Sequence, residues 1–177
     1  MSWRLTQKDT GLLVVDVQEK LVPVIASPSD WLKRLEILVQ GARLLDLPIL
    51  LTEQVPTKLG KTVAAIQKAA GSGIKALVKT KFSAAEEGKG LGRKRILVVG
   101  CETHVCIRQT VYDLRLKELT PVVVADAVGS RESRDRDIAL AEMRADGVVV
   151  STVEAVLFEI LESSEHARFK EVQALLK

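Results

Sequence analysis

Cys106 is the residue of this chain whose position best suits a nucleophile. It follows an apolar, strand-like run at Ile96–Val99 and a turn at Gly100–Val105, and it begins an amphipathic helical pattern. A thiol between the carboxyl end of a strand and the amino end of a helix lies at the ligand-binding edge of an open α/β sheet. The helix dipole and the free backbone N–H groups there favour a thiolate. We therefore expect a reactive cysteine, although a single cysteine is more often a small core residue.

Two charged side chains also follow predicted strands. Asp16 ends the first strand, and Lys79 comes directly after the third. Alone, an aspartate at such a point often caps the next segment or binds a metal, and a lysine is usually a solvated loop residue. Together with Cys106 they would supply a base, a positive charge and a nucleophile, which is the set that covalent hydrolysis needs.

The elements that must position these groups alternate regularly along the chain. Short β-branched runs are separated by longer helical patterns, which is typical of a parallel sheet covered by helices on both faces. The predicted strands are Gly11–Asp16, Pro48–Thr52, Lys75–Val78, Arg95–Val99, Pro121–Ala125 and Val148–Val150. Six parallel strands with right-handed crossovers predict a single three-layer α/β/α domain over residues 1–177, Rossmann-like, with its ligand at the carboxyl ends of the strands.

The helical segments repeat apolar residues at intervals of three and four. The predicted helices are Ser29–Leu47, Cys106–Leu114, Ser133–Ala145, Thr152–Leu161 and Ser164–Leu176. In the Ser133–Ala145 helix we expect four apolar residues to face the sheet, namely Ile138, Leu140, Ala141 and Met143. Ser29 or Asp30 is the expected N-cap of the first helix.

Composition excludes several classes of protein. Of the 177 residues, 47% are apolar and 28% are charged, which describes a globular protein rather than a disordered one. Aromatic residues make up only 3% and the net charge is +3. Few side chains can therefore stack on nucleic-acid bases, and no nucleic-acid partner is expected. No apolar run approaches the ~20 residues of a membrane span, and no cleavable leader is evident. With only two cysteines, we expect free thiols, a cytoplasmic location and no membrane partner.

Three short motifs carry a resemblance to a known family. They are Val15–Gln18 (VDVQ), Lys79–Ala84 (KTKFSA) and Gly100–Cys106 (GCETHVC). These motifs resemble those of the isochorismatase-like cysteine hydrolases, a family of isochorismatases, nicotinamidases and N-carbamoyl amidohydrolases. The likeness continues through Thr52–Pro56, Ala125–Arg131 and Thr152–Glu159, and these stretches look most like small isochorismatase-domain proteins of unassigned substrate.

The resemblance implies a catalytic triad of Asp16, Lys79 and Cys106. Lys81 is the rival for the lysine, but the family's lysine precedes the serine of its Phe-Ser-Ala-like segment by four positions, which favours Lys79. The implied reaction is hydrolysis of a small amide, carbamoyl or related acyl C–N bond through a thioester on the cysteine. No cofactor is implied.

The resemblance also implies a non-proline cis peptide bond at Cys101–Glu102. In the family this bond aims a backbone N–H at the developing oxyanion. Transferred to this chain, the oxyanion donors would be the N–H groups of Glu102 and Cys106.

Substrate recognition is less evident in the sequence. Candidate pocket residues follow the first and second strands or precede the thiol, namely Gln18, Glu53, Gln54 and His104. An ordinary turn or helix cap explains these residues equally well. Nicotinamidases of the family hold a metal through an aspartate and two histidines, whereas this chain has only His104 and His166, far apart, so we expect no metal site.

The sequence is also compatible with two hypotheses from other functional classes. The chain could be a non-catalytic ligand-binding or scaffold protein that keeps the hydrolase fold, although a scaffold does not need the whole triad. It could also be a thiol redox protein in which Cys101 resolves oxidised Cys106, which the short turn between them disfavours. The family resemblance further implies a homo-oligomer with a small-molecule substrate.

Overall fold

The computed structural model describes residues 4–26 and 28–177. The prediction that no cleavable leader is present concerns the N-terminus, and residues 1–3 lie outside the described part of the chain. Six strands form one sheet in which every pair is parallel. They are β1 (Thr10–Val15), β2 (Ile49–Gln54), β3 (Leu77–Lys79), β4 (Arg95–Cys101), β5 (Thr120–Gly129) and β6 (Val149–Ser151). Their spatial order is β3-β2-β1-β4-β5-β6, so the strand order reverses between β1 and β4. Ligands of such sheets bind at this point.

Helices cover both faces of the sheet. They are α1 (Trp31–Leu44), α2 (Pro56–Leu59), α3 (Ala64–Ala70), α4 (Ala85–Lys89), α5 (Arg108–Leu116), α6 (Ser133–Ala145), α7 (Val153–Leu161) and α8 (Phe169–Leu175). Helices α1, α3, α7 and α8 pack on one face, and α4, α5 and α6 pack on the other. The predicted three-layer α/β fold with six parallel strands is therefore confirmed.

Each face of the sheet has its own hydrophobic core. Leu12 and Val14 of β1 point into the α1 side, whereas Leu13 and Val15 point into the α5 side. This alternation follows from the two-residue period of a strand. All four side chains are buried, which explains why the strand is apolar throughout.

Gly100 allows the two strands at the reversal point to approach closely. It pairs with Val15 and has a φ of +112°. A Cβ atom on Gly100 would lie 2.0 Å from the carbonyl oxygen of Val15. Only glycine fits here, and it keeps the ends of β1 and β4, from which the candidate site residues follow, side by side.

Some element boundaries differ from the prediction. Strand β2 runs two residues further than expected, because the N–H of Gln54 finds an acceptor in the Gln18 side chain and Gln54 pairs with Lys79. Glu53 and Gln54 are thus strand residues, not loop residues. The first helix begins at Trp31, after Asp30, whose side chain makes no cap hydrogen bond.

The predicted bounds of α6 match the structure, but its predicted buried face is partly wrong. Ala139, Leu140 and Met143 are buried, whereas Ile138 and Ala141 are exposed. The buried stripe is therefore centred about one residue away from the predicted position. Within residues 4–26 and 28–177, no helix is long and apolar enough to cross a membrane.

Candidate active site

The structure brings Asp16, Lys79 and Cys106 together at the point where the strand order reverses. The Lys79 ammonium nitrogen lies 2.6 Å from Asp16 Oδ2. The Cys106 thiol lies close enough to the Asp16 carboxylate for each group to affect the pKa of the other. All three residues are nearly inaccessible, at 0%, 5% and 7% exposure respectively.

Three different elements deliver these side chains. Asp16 follows β1 directly and has a φ of +54°, which turns the chain sharply out of the sheet. Lys79 is the last residue of β3, the edge strand, and its long side chain reaches across β2. Cys106 lies in a π-helical turn, Thr103–Ile107, that follows β4 and leads into α5.

Hydrogen bonding fixes Lys79 as an ammonium ion. Its Nζ atom contacts Asp16 Oδ2, Gln54 Oε1 at 2.7 Å, and the carbonyl oxygens of Lys81 at 3.1 Å and Phe82 at 3.0 Å. All four partners are acceptors, so a neutral amine would turn its lone pair toward an oxygen. Lys79 therefore supplies a fixed positive charge and is not a base. Of the two rival lysines, the side chain of Lys79 reaches Asp16, whereas Lys81 is exposed and contributes its carbonyl.

Asp16 accepts hydrogen bonds on both carboxylate oxygens. Thr52 Oγ1 donates to Oδ1 at 2.8 Å, while Lys79 donates to Oδ2. Burial raises the pKa of Asp16 above its ordinary 3.8, and this effect outweighs the opposing attraction of the Lys79 charge. A buried carboxylate with a raised pKa is a suitable proton acceptor for a neighbouring thiol.

Cys106 is a neutral thiol, which corrects the expectation of a thiolate. Burial raises its pKa to about 12, and the Asp16 charge acts in the same direction. Lys79 and a hydrogen bond from the Glu102 backbone lower the thiol pKa but do not compensate. Since Cys106 is the fourth residue of the π-helical turn rather than its first, the expected helix-terminus effect was also misplaced.

The turn before Cys106 contains the cis peptide bond Cys101–Glu102 that the resemblance implied. The Glu102 backbone lies close enough to the Cys106 sulfur to lower the pKa of the thiol. The Glu102 side chain points elsewhere, because its Oε2 accepts the backbone N–H of Arg131 at 3.1 Å and the Arg131 guanidinium at 3.0 Å.

Two candidate pocket residues, Gln18 and Gln54, lie within a buried hydrogen-bond network. Gln18 Oε1 accepts the N–H of Gln54 at 2.8 Å, and its Nε2 donates to the carbonyls of Gln54 at 3.1 Å and Gly60 at 2.7 Å. The Gln54 amide bridges Lys79 and the Thr80 carbonyl. Both amides are thus engaged within the protein.

The other two candidates differ in orientation. Glu53 alternates with Thr52 and Gln54 along β2, and its carboxylate accepts the N–H and hydroxyl of Thr62 at 2.7 and 2.9 Å. His104 is partly exposed, with Nδ1 3.1 Å from Ser130 Oγ. It borders a cavity of about 200 Å³ between the π-helical turn and α6.

The second cysteine occupies the opposite side of the sheet. Cys101 is fully buried in the core beneath α1 and α7, and its thiol donates to the backbone carbonyl of Asp16 at 3.2 Å. Cys106 belongs to the core beneath α5. Both thiols are free.

Sequence reasoning missed Thr52 as part of the site. The available signal was its position opposite Val15, one residue before Asp16, together with its place in a family-like stretch. For metal binding, the described part of the chain (4–26 and 28–177) contains no group of three or more His, Cys, Asp or Glu side chains that could hold an ion.

Known proteins resemble this chain over nearly its whole length. An isochorismatase domain model matches residues 10–155. The zebrafish (Danio rerio) isochorismatase domain-containing protein 2 is 37% identical over 179 residues, covering 98% of this chain and 89% of that protein.

Solved structures extend the likeness to the fold. A structure described as the MAR1 ribonuclease of Caenorhabditis elegans has a TM-score of 0.91 and 35% identity, over 98% of this chain and 92% of its own. The Escherichia coli YcaC protein, described as an octameric hydrolase of unknown specificity, shares the fold at 20% identity and a TM-score of 0.86, over 99% and 96% of the two chains. The chain belongs to the isochorismatase domain family.

Proposed function

We propose that this protein is a cysteine-dependent hydrolase of a small amide, carbamoyl or related acyl C–N bond, with Cys106 as the nucleophile. One observation carries the proposal: a single buried carboxylate, Asp16, pairs with the Lys79 ammonium and lies close enough to the Cys106 thiol to raise its pKa. This arrangement supplies a nucleophile, the base that activates it and the positive charge that stabilises the ionised base.

Acylation begins with proton transfer from the Cys106 thiol to the Asp16 carboxylate. The sulfur attacks the acyl carbon, an S–C bond forms, and the carbonyl π electrons move to oxygen. When the tetrahedral intermediate collapses, the C–N bond breaks and the proton held by Asp16 passes to the leaving nitrogen. The products are a free amine, or ammonia, and a thioester on Cys106.

Deacylation uses the same groups in reverse. Asp16 takes a proton from water, the hydroxide oxygen bonds to the acyl carbon, and the S–C bond breaks. The proton returns from Asp16 to the departing sulfur, which restores the neutral thiol. Lys79 keeps its three protons throughout and stabilises ionised Asp16.

The backbone N–H groups of Glu102 and Cys106 are the proposed oxyanion donors. The effect of the Glu102 backbone on the pKa of the Cys106 thiol supports this role, because an acyl carbon attached to that sulfur would bring its oxygen near the same backbone. One donor of this kind typically contributes roughly 3–4 kcal/mol to the transition state. His104, which borders the neighbouring cavity, is the proposed substrate contact.

A panel of substrates tests the proposal. Wild type and Cys106→Ser are incubated with small primary amides, carbamoyl amino acids and isochorismate, and ammonia release and intact mass are followed. We expect ammonia and a transient acyl adduct with wild type alone. Equal turnover by Cys106→Ser would overturn the covalent route.

RNA hydrolysis is a second candidate function, favoured by the description of the similar C. elegans protein as a ribonuclease. A labelled RNA belongs in the same panel. Cleavage that Cys106→Ser abolishes would assign the triad to RNA. If the protein is folded and turns over none of these substrates, the result would instead favour a non-catalytic ligand-binding or scaffold protein.

We also propose a homo-oligomer in the cytoplasm. The two free thiols support a reducing compartment. Leu77, Val78 and Phe82 are large apolar side chains at the β3 edge with 45%, 62% and 54% exposure, and a second copy would cover them. Light scattering on the purified protein tests the assembly, and a monomeric mass at micromolar concentration would contradict it.

A further inference from the structure

Strand β2 carries none of the three reacting groups but lies between the strands that carry two of them. It pairs with β1, which leads into Asp16, on one side and with β3, which ends in Lys79, on the other. Thr52 is opposite Val15, and Gln54 is opposite Lys79. Because they are two residues apart on one strand, Thr52 and Gln54 project from the same face of the sheet.

Thr52 determines how the Asp16 carboxylate is turned. Thr52 is 1% exposed, and its hydroxyl donates to Oδ1 at 2.8 Å, while Lys79 holds Oδ2 at 2.6 Å. With a different partner on each oxygen, the carboxylate plane cannot rotate freely. The Thr52 hydrogen bond also lowers the pKa of Asp16 and so favours its ionised form.

Gln54 offers Lys79 an acceptor that only an amide can provide at this position. Its Oε1 accepts from Lys79 at 2.7 Å, and its Nε2 donates to the Thr80 carbonyl at 2.8 Å. A carboxylate of the same shape would place an oxygen against the Thr80 carbonyl and a second negative charge on Lys79. Gln18 holds the Gln54 backbone through two hydrogen bonds, since its Oε1 accepts the Gln54 N–H and its Nε2 donates to the Gln54 carbonyl.

We propose that Thr52 and Gln54 are positioning residues. By holding Asp16 and Lys79 in place, they determine how strongly the opposing charges of these two side chains act on the Cys106 thiol. The inference rests on the proposed function, since it concerns the same triad. It assigns Gln54 to the support of Lys79 rather than to substrate contact, and it assigns to Thr52 a part that the sequence did not suggest.

The test uses the chemical reactivity of Cys106 and needs no substrate. Wild type, Thr52→Val, Thr52→Ser and Gln54→Glu are treated with iodoacetamide between pH 7 and 11, and alkylation of Cys106 is followed by peptide mass spectrometry. Gln67→Glu is the matched control, because Gln67 also donates from its amide to backbone carbonyls, at Gly71 and Ile74, but lies on α3.

For Gln54→Glu we expect alkylation at pH 9 about tenfold slower than in wild type, because a second carboxylate offsets the Lys79 charge and raises the thiol pKa by about one unit. Thr52→Val should slow it about threefold, since Asp16 loses a donor and holds the thiol proton more strongly. Thr52→Ser, which keeps the hydroxyl, and Gln67→Glu should match wild type.

The proposal is overturned if Thr52→Val and Gln54→Glu react no differently from Gln67→Glu, or if Thr52→Ser slows alkylation as much as Thr52→Val. If Gln54→Glu does not fold, Gln54→Met, which removes the acceptor without adding charge, should also slow alkylation. The hydrolase proposal fails by a different result, namely no turnover and no acyl adduct in wild type, so the two failures are distinguishable.

Discussion

The two cysteines lie five positions apart but on opposite faces of the sheet, and Asp16 contacts both. Burial raises the pKa of each thiol, that of Cys106 to about 12 and that of Cys101 well above its ordinary value. The difference lies in the acceptor. Cys101 donates to the Asp16 backbone carbonyl, which does not take up a proton, whereas the Cys106 thiol faces the Asp16 carboxylate, which can.

Under the proposed function, this contrast distinguishes the reactive cysteine from the structural one more clearly than burial or pKa. A neutral thiol with a high pKa is inert beside an amide oxygen. Beside an ionised carboxylate held by an ammonium, the same thiol can lose its proton at the moment of attack. In our account Asp16 works as the base for one face and as part of the scaffold for the other.

Replacing the two cysteines in turn should give the largest contrast. Cys106→Ser should lower turnover of any substrate found by at least about a thousandfold, because the alkoxide of serine is far harder to generate than a thiolate. Cys101→Ser keeps a donor for the Asp16 carbonyl and should stay within about threefold of wild type, since the loss of one buried sulfur changes packing only. Steady-state rates of the two variants check this, and comparable losses would break the comparison.

The two rival lysines should differ nearly as much. Lys79→Met leaves the Asp16 carboxylate buried without its partner, so we expect a loss of about 3–5 kcal/mol in the free energy of unfolding and at least about a hundredfold in turnover. The exposed Lys81→Met should change unfolding by less than about 0.5 kcal/mol. Urea denaturation measures the first effect. Equal destabilisation by the two substitutions would contradict the assignment of Lys79.

Two glycines test how the ends of β1 and β4 are held together. Gly100→Ala would push a methyl group into the Val15 carbonyl, so we expect at least roughly 3 kcal/mol of destabilisation. Gly92 also has a positive φ, of 62°, but has no atom within 4 Å of its would-be Cβ, so Gly92→Ala should cost only about 1 kcal/mol. Denaturation midpoints of the two variants measure the difference. Similar values would show that the close approach of Gly100 to the Val15 carbonyl does not restrict residue size at this position.

The pH dependence of turnover gives the smallest expected effect. The base must be ionised, and burial raises the pKa of Asp16, so the acid limb of kcat/KM should have its midpoint above 3.8. Because Cys106 reacts from its neutral form, activity should persist past pH 9 and fall only toward the thiol pKa of about 12. Loss of activity on raising the pH through 8 would argue for a different protonation scheme.

The fold was predictable because its signals are local. Apolar runs identified most strands, whereas the edge strand β3 had a weak signal at Lys75–Val78 and lies at Leu77–Lys79. The helix Ser133–Ala145 was bounded correctly by its charged outer side and Gly147. The proximity of Asp16, Lys79 and Cys106 could be anticipated because all three lie at or beyond strand ends. The buried face of α6 could not be predicted, because the spacing of its apolar residues fits two neighbouring faces of the helix. Packing in the fold buries Ala139 and leaves Ile138 exposed.

The protonation state and the support of the site depend on contacts between distant segments. Whether Cys106 is a thiol or a thiolate depends on burial and on the distance to Asp16, neither of which has a local sequence signal. The partners of Gln18 and Gln54 are backbone carbonyls at Gly60 and Thr80, which every residue type could provide. The sequence therefore placed these glutamines near the strand ends without showing which groups they contact.

The alkylation rate of Cys106 as a function of pH, in wild type and in Asp16→Asn, tests the central claim most directly. The wild-type rate should rise by about tenfold per pH unit through pH 10 without a plateau, as expected for a thiol whose pKa is about 12. Asp16→Asn removes the negative charge that raises this pKa, so alkylation at pH 8 should become faster even though hydrolysis is lost. A wild-type plateau near pH 7 together with slower alkylation in Asp16→Asn would contradict the account, because Cys106 would then be a thiolate already at rest.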